Sequence, residues 1–135
     1  MGRPRFRALG HTADLRVAAW GDTEEELISN AVLGAMRAAL GSPPAAPPSR
    51  RAPIRPWPAD LGSRLVRAVN EALFALYARR EVAVGCERTS RGASLALAPL
   101  RAGAAPAIEV KAATYHDLRP VRRLGRLRAI LTLDV

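Results

Sequence analysis

The sequence predicts an α+β fold in which two helices pack against a largely antiparallel β-sheet. Three observations predict it. Two long segments, Leu27 to Ala39 and Leu61 to Leu76, carry apolar residues at helical spacing. Most of the remainder divides into short runs rich in residues that suit a pleated, half-buried surface. Strands and helices do not alternate regularly, which argues against a doubly wound parallel sheet. The length of 135 residues suits one domain, 1–135, interrupted by a proline-rich loop at about 42–58.

The elements follow in order. Phe6 to Leu9 and Leu15 to Trp20 read as strands on either side of the turn-like His11-Thr12-Ala13-Asp14. Asp22-Thr23 then offers an N-cap and Glu24, Glu25 and Glu26 put negative charge in the first helical turn. Leu27, Ala31, Gly34, Ala35, Ala38 and Ala39 supply the helix's apolar stripe, and Gly41 and Pro43 stop it. Seven prolines between Ser42 and Pro58 leave room for an edge strand at most, around Ala52 to Trp57. Asp60 caps a second helix, whose stripe of Leu61, Leu65, Val69, Leu73 and Leu76, widened by Ala68, Ala72 and Tyr77, ends near Arg79-Arg80. Strands are then expected at Val82 to Glu87, Ala93 to Leu100 and Ile108 to Ala113, with Tyr115 to Val121 pairing with Leu127 to Leu133.

A formal charge of +9 invites a nucleic-acid partner. Twenty of the 21 basic residues are arginine, however, in a chain crowded with alanine, the pattern of a compositional bias. The runs Arg50-Arg51, Arg79-Arg80 and Arg122-Arg123, with Arg126 and Arg128, are accordingly read as solvated faces. The single cysteine, Cys86, has no disulfide or zinc partner. No apolar stretch approaches the ~20 residues of a membrane span, and no signal-like segment follows Met1, so a cytoplasmic location is expected. No serine or cysteine stands in an activated context, and Gly41, Gly62 and Gly92 are too isolated to form a phosphate loop.

The chain closes on an apolar run, Ile130 to Leu133, followed by Asp134 and Val135. Such a run belongs in a buried strand, so the terminus is expected to be held, with the Asp134 side chain and the α-carboxylate side by side. Adjacent carboxylates repel unless a positive charge sits between them, and a hard divalent cation is one candidate.

Several separated motifs resemble those of the archease family in order and spacing. These are His11-Thr12-Ala13-Asp14 with Trp20-Gly21; Asp60 ahead of Leu65-Val66 and Asn70-Glu71-Ala72-Leu73; Lys111-Ala112-Ala113-Thr114-Tyr115-His116; and Asp134-Val135. The resemblance covers essentially the whole chain. It implies a non-enzymatic protein that activates the GTP-dependent RNA ligase of tRNA splicing and RNA repair, promoting guanylylation and multiple turnover. GTP would be bound by the ligase, and RNA would be met through it. The resemblance further implies a divalent cation, calcium first with magnesium or manganese as alternatives. Its ligands would be Asp14, Asp134 and the Val135 carboxylate, with Asp60 a less secure fourth. His11 would fix its turn or line the acidic pocket, and Lys111 and His116 would orient carboxylates or meet the ligase. A monomer without membrane attachment is expected. Two other classes stay open: an RNA-binding or chaperone-like module using the arginines, and a metal-dependent phosphoesterase, for which the sequence offers no clear general base.

Overall fold

Strands β1 (Phe6–Leu9), β2 (Leu15–Gly21), β8 (Arg126–Asp134) and β6 (Ala112–Thr114) lie side by side in that order, and β7 (Val121–Arg123) pairs with the first residues of β8. Every pairing is antiparallel. The computed structural model describes residues 5–9, 14–42, 44 and 46–135. Among these, β3 (Arg50–Ile54), β5 (Gly92–Pro99) and β4 (Glu81–Thr89) form a second antiparallel sheet in the order β3-β5-β4. The expected single sheet is therefore two.

The two helices explain the division. Helix α1 (Glu24–Leu40) touches both sheets, which is why small residues are so frequent along it. At Gly34 it comes so close to the five-stranded sheet that a Cβ would lie 2.5 Å from Val17 Cγ1 and 2.9 Å from Phe6 Cβ. From another side, Ser29 Oγ accepts a hydrogen bond from the Cys86 N–H of β4 at 3.1 Å. This bond lies next to the irregularity in the β4–β5 register between Ala83 and Gly85. Helix α2 (Leu61–Arg79) presents Leu65, Val69, Leu73 and Leu76 to the same core. Tyr77 is not part of that buried stripe: it sits half-exposed at the helix edge. Its hydroxyl donates to Ile108 O at 3.2 Å and accepts from the Val110 N–H at 2.8 Å.

The caps form where expected. Thr23 Oγ1 accepts from the Glu26 N–H, the Glu26 carboxylate accepts in return from the Asp22 N–H, and Gly41 ends α1 in the left-handed region. The edge strand forms slightly earlier than predicted, at Arg50–Ile54. Arg50 and Arg51 reach across β5 in two-pronged ion pairs to Glu81 and Glu87. These two arginines are thus cross-strand braces rather than a solvated face. Cys86 is buried, and desolvation pushes its thiol up to about 12, so it is inert at neutral pH.

Two predicted strands are largely absent. Of Ile108 to Ala113 only the end joins β6, because the backbone before it is bonded elsewhere: the Ala107 N–H to Ala39 O at 2.7 Å, and the Val110 N–H to Tyr77. Tyr115 to Val121 instead turns, with Leu118 N–H donating to Tyr115 O and Asp117 at φ 52°, and only Val121–Arg123 pairs with β8. No helix among the described residues is long and apolar enough to cross a membrane.

The β7–β8 hairpin turns through Leu124 (φ 54°) and Gly125 (φ 76°), the two positive φ values of a type I′ turn. Leucine is ill suited to this position and here is 97% exposed. Replacing it removes left-handed strain and no packing. Leu124→Gly is expected to raise unfolding stability by about 1 kcal/mol in urea melts, and an unchanged or lowered midpoint would contradict the strain.

Candidate cation site at the end of the sheet

Residues two apart on a strand share a face. On β8, Leu127, Ala129, Leu131 and Leu133 are buried against the helices, so Arg126, Arg128, Ile130, Thr132 and Asp134 share the outer face. The same rule puts Arg16, Ala18 and Trp20 of β2 on that face, since Val17 and Ala19 join the core. Leu15 stands opposite Leu133. The β2–β8 pairing ends there, so Asp14 and Asp134, both exposed, each stand one residue beyond the last pair at the same end of the sheet.

On the other flank of β8, Ala112 opposes Asp134 and the Lys111 N–H donates to Asp134 O at 2.7 Å. Lys111 thereby lies beside Val135, at the same end of the sheet as the two aspartates. The terminus is held, as the apolar run suggested. Asp14 and Asp134 are both exposed, and exposed carboxylates repel less than buried ones. In bulk water two unit charges at ~4 Å repel by about 1 kcal/mol. Carboxylate oxygens on one face nevertheless suit a hard divalent cation and offer no soft ligand.

The other expected residues do not assemble there. Asp60 is the N-cap of α2, its Oδ2 accepting from the Ser63 N–H at 2.9 Å. The part of α2 that meets β6 is Asn70, ten residues further on and about 15 Å along the helix axis. His116 lies by its backbone over Thr132, whose hydroxyl donates to His116 O, while its ring meets Asp117 Oδ2 at 3.2 Å with both side chains exposed. It is about 7 Å up the strand from Asp134. His11 lies outside the described residues. Among the described residues, no three His, Cys, Asp or Glu side chains gather into one cluster.

Residues 6–135 match the archease protein family (MTH1598/TM1083). The chain belongs to the archease family. Among solved structures it is similar to an archease from Thermotoga maritima, described as a possible chaperone. The two are 20% identical with a TM-score of 0.68, covering 100% of this chain and 98% of the other. It is also similar to the solution structure of Methanobacterium thermoautotrophicum protein 1598, 24% identical with a TM-score of 0.69, covering 98% of this chain and all of the other. No curated protein matches the sequence.

Within this archease fold, Asn70 has a part that sequence reasoning did not assign. Its amide lies against the free edge of β6, Oδ1 accepting from the Ala113 N–H at 2.7 Å and Nδ2 reaching Ala113 O at 3.4 Å. A side-chain amide thus replaces a neighbouring strand and fixes the segment that carries Lys111. A buried-stripe helix interrupted by one asparagine was the available signal. Beside it, Leu73, Phe74, Tyr77 and Lys111 line a groove of about 350 Å³. A separate cavity of about 320 Å³ opens between the first turn of α1, the β4–β5 hairpin and Trp57. Its carboxylates are already engaged: Glu24 with Arg64, Glu25 with the Arg88 N–H and Glu87 with Arg51.

Two predictions follow from these placements. Asn70→Ala leaves the Ala113 N–H buried without a partner, which costs about 1–3 kcal/mol. Denaturant melts should show that loss, and hydrogen exchange at Ala113 should accelerate; protection equal to the parent would refute the clamp. For Asp60, the Ser63 N–H holds the carboxyl below its ordinary range. A lowered folded-state pKa contributes stability above the unfolded value, about 3.9, and that stability is lost as pH falls through the folded value. Asp60→Ala should therefore lower the melting midpoint at neutral pH, with the difference from the parent vanishing in strong acid, and should leave cation affinity unchanged. Loss of cation binding in this variant would restore Asp60 to the ligand set.

Proposed function

We propose that this archease is a cation-loaded, non-enzymatic activator of a GTP-dependent RNA ligase. Two supports carry the reading: membership of the family over residues 6–135, and a β2–β8 register whose last pair, Leu15 with Leu133, adjoins both Asp14 and Asp134. In this reading Asp14, Asp134 and the Val135 carboxylate hold a divalent cation, calcium first and magnesium or manganese as alternatives. Bound there, the ion supplies positive charge to a guanylyl group in transfer on the docked ligase. Lys111 adds a fixed cation at the edge of the same site, and the groove lined by Phe74 and Tyr77 beside it receives an apolar element of the ligase. The protein works as a cytoplasmic monomer and meets GTP only through its partner.

The test separates ion binding from activation. Calorimetry with Ca²⁺ should detect one site, and cation at a hundred times Kd should raise unfolding stability by about 2.7 kcal/mol. Asp14→Asn with Asp134→Asn should abolish both effects and the acceleration of ligase guanylylation, while the far-ultraviolet spectrum stays unchanged. Residues added after Val135 turn its carboxylate into an amide and should weaken the ion without unfolding β8. If the parent protein fails to accelerate guanylylation, or the double variant accelerates it equally, the activator reading falls.

A further inference from the structure

The outer face that carries Asp14 and Asp134 at one end also carries exposed arginines, around the buried Ala18 and Thr132. Arg126 and Arg128 of β8 and Arg16 of β2 lie on it, as does Arg7, whose partner Ala18 shares that face. Arg123 joins them from β7, opposite Arg126. All five are exposed. Among the described residues none of them forms an ion pair with a carboxylate, whereas Arg5, Arg50, Arg51, Arg64 and Arg67 each do.

Arg123 and Arg126 are the most informative, because like charges directly opposite one another weaken a strand pair. The hairpin keeps this repulsion, and among the described residues neither guanidinium forms an ion pair with a carboxylate, an arrangement relieved when an anion sits between the two. The rows of one sheet face are spaced by about 7 Å along the strands and 4.8 Å between them. The five cations therefore spread over a surface and cannot converge on one small anion. Trp20 stands beside Arg128 in this field. Trp57 and Phe74 each carry a guanidinium at 5.5 Å, but no described guanidinium covers the ring of Trp20. A string of phosphates with bases that stack on an aromatic ring matches such a surface.

We infer that the outer face of the five-stranded sheet binds single-stranded RNA through Arg7, Arg16, Arg123, Arg126 and Arg128, with Trp20 as a stacking surface. The protein contacts the RNA backbone itself, independently of the ligase and of the cation.

The probe is a fluorescein-labelled mixed-sequence RNA of about 12 nucleotides, within the span known for single-strand sites, titrated with the full chain at several salt concentrations. Log affinity against log salt should fall with a slope of about −3.5, at about −0.7 for each neutralised phosphate. Arg123→Gln with Arg126→Gln should reduce the slope by about 1.4 and the affinity at ~0.1 M salt at least tenfold. Its melting midpoint should be equal or higher, since a repulsion is relieved. Arg37→Gln with Arg101→Gln removes the same charge elsewhere on the surface and should change affinity less than twofold. Asp14→Asn with Asp134→Asn should bind RNA undiminished while failing in ligase activation, which keeps this inference distinct from the proposed function. The inference is overturned by no binding at low salt, by equal loss in the Arg37 and Arg101 control, by a lowered midpoint in the hairpin variant, or by poly-glutamate competing as well as RNA. The last result would assign the face to an acidic protein.

Discussion

The register between β2 and β8 is the constraint on which the rest of the molecule depends. It pairs Leu15 with Leu133 and Val17 with Leu131, so that one side of both strands fills the core. A slip of one residue would turn Val17, Leu131 and Leu133 outward, at about 2 kcal/mol for each side chain. Against this stands at most about 1 kcal/mol, the repulsion of two exposed carboxylates at ~4 Å in water. Burial wins by a wide margin, and the acid pair is a consequence of core packing as much as a site in its own right. That ordering explains how a charged constellation can be maintained at a chain end without any ion being needed to fold it.

Once the register is set, polar side chains on the helices finish the sheets. Ser29 satisfies the Cys86 N–H beside the irregularity in β4, Asn30 donates to Trp20 O near the end of β2, and Asn70 takes both backbone groups of Ala113. Each stands where a neighbouring strand would otherwise be required. Tyr77 does the same for the segment before β6, which runs beside α2 with Val110 buried and Ile108 half-exposed. Short strands and irregular backbone can therefore border the core without orphaned polar atoms, and none is found among the described buried side chains.

Local chemistry made the helices legible. Thr23, Gly41 and Asp60 cap where their residue types predict, and the apolar stripes read correctly apart from Tyr77. Strand pairing was harder to read, because alternation shows that a residue faces inward but not which strand lies beside it. Val110 illustrates this: it is apolar and fully buried, yet its N–H belongs to Tyr77 rather than to a ladder. The division into two sheets arises from α1 packing on both, a tertiary fact that no local window contains. For the candidate site, Asp14 and Asp134 were readable only as motif residues, and it is the register that brings the strand ends next to them to one end of the sheet. Asp60 shows the opposite hazard, since one carboxylate ahead of a helix serves equally well as a cap or as a ligand until the distance is known.

The same distinction bears on the arginines. Composition alone cannot separate a biased genome from a binding surface, because both yield the same net charge. Partners can separate them. Arg50 and Arg51 cross β5 to carboxylates, and Arg67 bonds to Glu71 and to Arg55 O, so each stabilises a particular neighbour. Arg123 and Arg126 stand opposite each other across a two-residue turn whose first residue is itself strained, and among the described residues neither forms an ion pair. A biased composition explains why arginine was available at these positions. It does not explain why a hairpin with opposed cations, an exposed leucine and unfavourable backbone is carried on the same sheet face as the paired aspartates. Charge of both signs that forms no ion pair among the described residues along one surface is the pattern of a surface completed by something outside the chain.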